Sequence, residues 1–105
     1  MTYAEFWPRY LRAHAKPLTR ALHFLGTGLA VICLICAGIL RDWRFVPAAP
    51  VIGYAFAWTA HVAIERNRPE TFGHPFWSVY SDLRMLALFL FGRLDRHLAR
   101  AERTL

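Results

Sequence analysis

Histidine and glutamate are the residues of this 105-residue chain whose types and spacing best suit metal chemistry. His23 lies near the start of one apolar segment and His61 near the end of the next, with a short link between them. Glu65 follows His61 by four residues, which places both side chains on one face of a helix. Two imidazoles and one carboxylate form the ligand set of non-haem Fe(II) oxygenases, whereas histidines alone suit Zn²⁺ equally well. The spacing therefore predicts a metal site.

The two segments that carry these histidines have the length of membrane-spanning helices. Residues 20–40 and 45–65 each match the ~20 residues that a helix needs to cross a bilayer. Because the link 41–44 is so short, the helices must run antiparallel, and His23 and His61 then lie at the same depth. A histidine within a membrane span is costly, and its presence favours a functional role. The alternative is that each histidine only forms a hydrogen bond with neighbouring backbone or snorkels to the membrane interface.

Small residues recur along both predicted spans on the side of the histidines. The second span carries Ala49, Gly53 and Ala57 at four-residue steps before His61, and the first has a similar series after His23. Small side chains let membrane helices approach each other closely. The packing surface and the candidate ligands are therefore expected to share one face of the hairpin.

Composition and charge agree with a single membrane-embedded domain over residues 1–105. The hydrophobic fraction is 56% and the net charge is +6. The basic residues flank the spans instead of lining one face, which favours contact with anionic lipid over nucleic acid. They are concentrated before the first span and after the second, so the positive-inside rule predicts cytoplasmic termini in a bacterial inner membrane.

Two further helices are expected to flank the hairpin. Residues 3–15 have apolar positions on one helical face and predict an interfacial amphipathic helix, which starts only at Pro8 if that residue interrupts it. His14 continues the apolar stripe of this helix toward the membrane. Residues 75–97 predict a C-terminal interfacial or re-entrant helix, with a third span as the alternative. The predicted fold is an all-α membrane protein: an antiparallel two-helix transmembrane hairpin with a flanking helix on each side.

Three other polar residues are weaker candidates for the site. His74 is a further candidate ligand, although it is as compatible with a surface position in a loop. His97 lies in the arginine-rich tail and is expected to be solvated. Asp82 is compatible with orienting a ligand or with capping polar backbone.

Several stretches of the chain together resemble the fungal 2-hydroxy fatty acid dioxygenase family (Mpo-like), in its bacterial short form. The main ones are Tyr10-Leu-Arg-Ala-His14, Leu22-His23-Phe-Leu-Gly26 and Trp58-Thr-Ala-His61-Val-Ala-Ile-Glu65-Arg-Asn67-Arg-Pro69. Shorter matches follow at Thr71-Phe72, at Pro75-Phe-Trp-Ser78 and at Asp82-Leu-Arg-Met85. The combination is specific, although none of the pieces is specific alone. In one departure, Thr19 stands where relatives often have Asn.

The resemblance implies a membrane-bound Fe(II) enzyme of fatty-acid α-oxidation that uses O₂ to shorten a long-chain 2-hydroxy acid by one carbon. The resemblance also implies that His14, His23 and His61 are the essential histidines, with Glu65 beside them. Such a substrate can chelate iron through its carboxylate and hydroxyl, and it supplies all the electrons that O₂ needs. A cationic side chain is expected near the carboxylate, and the candidates are Arg20, Arg66 and Arg68.

Two other functions are compatible with the same residues. One is a different membrane metalloenzyme acting on lipids, such as a hydrolase that uses zinc-bound water. The other is a small non-catalytic membrane protein that binds metal structurally.

Overall fold

The computed structural model describes residues 1–103, and the regular secondary structure of this part is entirely helical. The elements are α1 (Tyr3–Arg12), α2 (Pro17–Leu40), α3 (Phe45–Thr59), a π-helical turn (Ala60–Glu65), a 3₁₀ turn (Glu70–Phe72), α4 (Pro75–Leu90) and α5 (Leu94–Arg103). The π-helical turn continues α3 without a break. The predicted all-α fold is confirmed.

The central hairpin consists of α2 and of α3 with its π-helical turn. Its two arms, Pro17–Leu40 and Phe45–Glu65, are long and apolar enough to cross a membrane, with mean hydropathies of 2.2 and 1.2. Only 11% and 22% of their most apolar windows are buried. A core helix of a soluble protein would be mostly buried, so both arms instead present apolar surface outward.

The arms pack through small residues, as the sequence predicts. A Cβ atom added to Gly26 would lie 2.7 Å from Cβ of Phe56 and 3.3 Å from the carbonyl oxygen of Gly53. Gly53 in turn faces Ala30: a Cβ atom added to Gly53 would lie 3.7 Å from Cβ of Ala30. Gly26 is therefore the point of closest backbone approach, and this approach brings the two arms into register.

The first helix starts at residue 3, as its predicted bounds have it, and differs from the prediction in where it ends and in what covers it. It begins at Tyr3, capped by the Thr2 hydroxyl, and contains Pro8 without ending there. Pro8 has no N–H to donate within the helix, and the residues on either side of it, Trp7 and Tyr10 among them, are buried. Its apolar face, expected to lie on lipid, is buried against α4 and α5, in a cluster that comprises Phe6, Trp7, Tyr10, Leu11, Met85, Leu94 and Ala101. Protein covers this face because α5 turns back with an apolar face of its own.

The single helix expected over residues 75–97 is two helices in the structure. Gly92, with φ of +71°, ends the first, since only glycine adopts this conformation at little cost. The 16 residues of α4 extend about 24 Å. That length is less than the ~30 Å hydrocarbon core of a bilayer, so α4 is too short to be a third span. It packs beside α2, where Phe89 stacks on Phe24 at 4.3 Å.

Candidate metal centre

Three imidazoles meet where α1, α2 and the π-helical turn converge. His14 lies in the link between α1 and α2, His23 in the second turn of α2, and His61 in the π-helical turn. All three are at most 3% exposed. One ring nitrogen from each lies within 4.8 Å of the other two. The ring centroids are 4.3 to 5.0 Å apart and the ring planes are nearly perpendicular, at 79° to 84°. The three rings thus surround a common centre.

Two of the imidazoles are oriented by hydrogen bonds on the side away from this centre. Nδ1–H of His14 donates to the carbonyl oxygen of Tyr10 at 2.6 Å, and Nδ1–H of His61 donates to Oδ1 of Asn67 at 2.6 Å. The Asn67 amide is itself fixed, because its Nδ2 donates to the carbonyl oxygen of Ala13 at 3.0 Å. Each ring therefore directs the lone pair of Nε2 inward, as metal-ligating histidines do.

The third imidazole has no neutral form that suits both of its neighbours. Nε2 of His23 lies 3.1 Å from Nε2 of His14, which already carries a lone pair. If His23 donates from Nε2, its bare Nδ1 faces the Asp82 carboxylate at 3.4 Å. If His23 is protonated on Nδ1 instead, the Nε2 lone pairs of His14 and His23 face each other. In neither form does Nδ1 have a hydrogen-bond partner among the described residues. A metal ion among the three Nε2 atoms removes the conflict, so these residues fit a bound metal.

Asp82 and Tyr10 form a second layer behind His23 and His14. The Tyr10 hydroxyl donates to the Asp82 carboxylate, and the Tyr10 ring packs on His14 with 4.1 Å between centroids. Burial, and then the Asp82 charge, raise the pKa of Tyr10 well above its usual value, so the phenol stays protonated and donates. Of the two roles that the sequence leaves open for Asp82, this geometry favours orientation of a ligand.

The electrostatics around His14 favour a neutral ring. Burial lowers the pKa of His14 well below its usual value, and the neighbouring His23 and His61 lower it further. A neutral imidazole is the form that binds metals, because a proton would occupy the ligating lone pair. Arg20 donates to the carbonyl oxygens of His14 and Ala15, both at 2.8 Å, and so holds this link in place.

The π-helical turn determines which side chains of its segment reach the centre. Such turns occur often at functional sites, and this one ends at Arg66 in the left-handed conformation with φ of 58°. Hydrogen bonds in a π-helix join residues five apart, so Glu65 does not occupy the position above His61 that an α-helix would give it. Its Oε1 instead accepts from the backbone N–H of Lys16 at 2.6 Å. The structure therefore brings three of the four predicted ligands together, and Glu65 lies outside the group.

The remaining candidates also lie outside the cluster. His74 precedes α4 and stacks on Trp77 at 5.0 Å. Arg66 is exposed, and Arg68 lies over the Phe72 ring at 5.4 Å. The expectation of a solvated His97 is wrong, because its ring is half-buried and its Nδ1 accepts from the Trp7 indole at 3.1 Å.

Sequence reasoning missed Asn67 and the hydroxyl of Tyr10. Both residues occur in the stretches that carry the family resemblance, but no spacing rule assigns them to an imidazole. Thr19, the departure from the family pattern, is fully buried and its hydroxyl has no hydrogen-bond partner among the described residues.

The fold and the site define a small all-helical protein with two helices of membrane-spanning length and a three-histidine candidate metal centre at one end of their hairpin. The chain belongs to the family described as 2-hydroxy-palmitic acid dioxygenase Mpo1-like, whose family model matches residues 1–94. The match covers all three histidines and the residues that orient them. No curated protein and no solved structure matches the chain significantly.

Proposed function

We propose that this protein is a membrane-embedded Fe(II)-dependent dioxygenase that cleaves the C1–C2 bond of a long-chain 2-hydroxy fatty acid. The observation that carries the proposal is the convergence of three buried imidazoles, with one ring nitrogen of each within 4.8 Å of the others, in a chain of this family. The reaction balances without a further reductant: the 2-hydroxy acid and O₂ give the acid shortened by one carbon, CO₂ and water. The substrate loses four electrons and O₂ accepts them.

The ligands in this proposal are His14, His23 and His61, which leave coordination positions free for substrate and O₂. Bound Fe(II) supplies the redox chemistry by which O₂ reacts with the substrate. The residues of the chain fix the geometry: Asn67 and the Tyr10 carbonyl hold two of the rings, and Asp82 faces the third. Burial of all three rings keeps bulk water from the site. We assign Glu65 to the link between the π-helical turn and the start of α2.

A location at the end of a membrane hairpin suits an amphiphilic substrate. The head of a fatty acid can reach the histidines while its tail stays among apolar side chains or lipid. The basic residues that flank the two arms support cytoplasmic termini, which places the site at the cytoplasmic leaflet. The Asp42–Arg44 ion pair, with 2.7 Å between its atoms, then lies in the external turn.

The decisive experiment is anaerobic purification, reconstitution with Fe(II), and product analysis after O₂ and a 2-hydroxy fatty acid are added. We expect O₂-dependent formation of the acid shortened by one carbon together with CO₂. Zn²⁺ ranks above Fe²⁺ in intrinsic affinity, so activity is scored only after iron reconstitution. No product from the iron-loaded protein would refute the proposal.

A zinc hydrolase is the second candidate, because three histidines are also a ligand set of catalytic zinc. Lipid hydrolysis by the Zn²⁺-loaded protein in the absence of O₂ would identify this activity.

A further inference from the structure

We propose that the cavity between α2, α3 and α4 binds the acyl chain of the substrate whose head lies at the histidine cluster. This inference rests on the proposed function and assigns a part of the molecule that the metal centre does not use. The cavity has a volume of about 220 Å³. Its walls come from both arms of the hairpin and from α4.

The lining has the chemistry of an acyl-chain site. It is mostly aliphatic, with Val31 and Leu34 from α2, Ala49 from α3 and Val79 from α4. Among the described residues that line it, Asp82 alone carries a charge. An apolar slot with a polar group at one place matches an amphiphile and would leave a polar ligand without hydrogen bonds.

The cavity adjoins the metal centre through Asp82, the carboxylate that faces His23. Asp82 belongs to its lining and also lies 3.4 Å from Nδ1 of His23. Thr27, another lining residue, follows His23 by four residues on α2, about 6 Å along the axis. From Thr27 to Leu34 the lining extends away from the histidines by about 10 Å of helix. A chain that starts at the cluster can therefore extend along the hairpin.

The cavity also opens to the apolar surface. Leu34 is 51% exposed, Leu83 46% and Val79 44%, and all three line the cavity. In the proposed membrane arrangement this opening faces lipid, so an acyl chain enters sideways from the bilayer. The volume is below the ~300–1,000 Å³ of a typical ligand pocket, so the cavity encloses a middle segment of the chain and lipid surrounds the rest.

The test fills the cavity without touching the metal centre. Val31→Phe places a larger side chain in the lining. Ile32→Phe is the matched control, because Ile32 is the next residue of the same helix, is 54% exposed and does not line the cavity. Val79→Phe fills the cavity from α4 and provides a second variant if the first does not fold.

The probe is 2-hydroxypalmitate with a photoreactive diazirine at mid-chain, added without O₂ to the Fe(II)-incubated protein in lipid nanodiscs. Labelled peptides are mapped by mass spectrometry. We expect labels on residues 27–34 and 49–54 that unlabelled 2-hydroxypalmitate displaces. Val31→Phe should lower this labelling by about tenfold or more, the discrimination that hydrophobic pockets show for a single methylene. Ile32→Phe should label as the wild type does.

Each outcome separates this inference from the proposed function. Unchanged labelling in both filled variants, or labels spread over the whole lipid-facing surface, would overturn the inference even if the enzyme is active. Displacement by phospholipid as effective as by the 2-hydroxy acid would overturn it too, since the cavity would then hold ordinary lipid. Specific labelling without any O₂-dependent product would retain the acyl site and refute the dioxygenase.

Discussion

Replacement of Asp82 by Asn tests whether the carboxylate behind His23 holds this ring in its metal-binding form. The variant keeps the size of the side chain and an oxygen that accepts from Tyr10, and it removes the negative charge 3.4 Å from Nδ1 of His23. Without this charge, His23 loses the interaction that favours a proton on Nδ1. The Nε2–H form becomes more populated, and this form cannot bind a metal.

The expected effect is a weaker metal complex with an intact fold. Loss of a partner that orients a ligating histidine costs ~10–100-fold in metal affinity. That range corresponds to about 1.4–2.8 kcal/mol. Asp82→Asn should fall near the lower end, because the amide oxygen still accepts from Tyr10. Asp82→Ala should reach the upper end and also lower stability, because a buried hydroxyl without a partner costs ~1–3 kcal/mol.

The assay is competition between the protein and a chelator for Fe(II) without O₂, repeated with Zn²⁺. Asp42→Asn is the matched control, since it makes the same chemical change in the turn at the other end of the hairpin, where Asp42 pairs with Arg44. It should leave metal affinity unchanged. Wild-type affinity in Asp82→Asn, alongside lost binding in His23→Ala, would show that the carboxylate does not orient the ring.

Four further predictions follow from the same contacts. Replacement of a cluster histidine by Ala should abolish Fe(II) binding, measured by the same competition, whereas His74→Ala should bind normally; the cluster variants are His14→Ala, His23→Ala and His61→Ala. Glu65→Gln should retain the metal; loss of iron from this variant would show instead that the Glu65 carboxylate is a ligand. Gly26→Ala should lower the thermal unfolding temperature, because overpacking costs ~1–3 kcal/mol of folding free energy, while Gly53→Ala should not; equal effects would contradict the close approach at Gly26. A cysteine replacing Trp43, in a protein without its native cysteines, should react with an impermeant reagent only from outside, and labelling only from inside would reverse the topology.

Hydrophobic pattern and chain connectivity made the hairpin predictable. Two apolar runs of membrane length joined by a short link can only form an antiparallel hairpin. This hairpin brings His23 and His61 to the same end, where their rings are in contact. The small-residue positions followed from the same helical period, and the contact between Gly53 and Ala30 confirms them. These inferences need only the spacing of residues along regular helices.

The features that escaped prediction depend on departures from regular helices or on distant contacts. The sequence from Ala60 to Glu65 has no feature that distinguishes a π-helical turn from an α-helical one, so His61 and Glu65 were expected to point together. The amphipathic face of α1 fits lipid or protein equally well. Its true partners are α4 and α5, and α5 lies there because the chain turns at Gly92.

The same contacts explain how so short a chain can hold three buried imidazoles. The two apolar arms alone would leave His23 and His61 at an open end, where water could reach their ring nitrogens. The helices α1, α4 and α5 close this end, and α1 leads directly into the link that supplies His14. Asn67 then joins this link to His61. Because α1 leads into His14 and carries Tyr10, whose carbonyl and ring contact that histidine, loss of packing around Tyr10 should weaken the proposed metal binding as well as the fold.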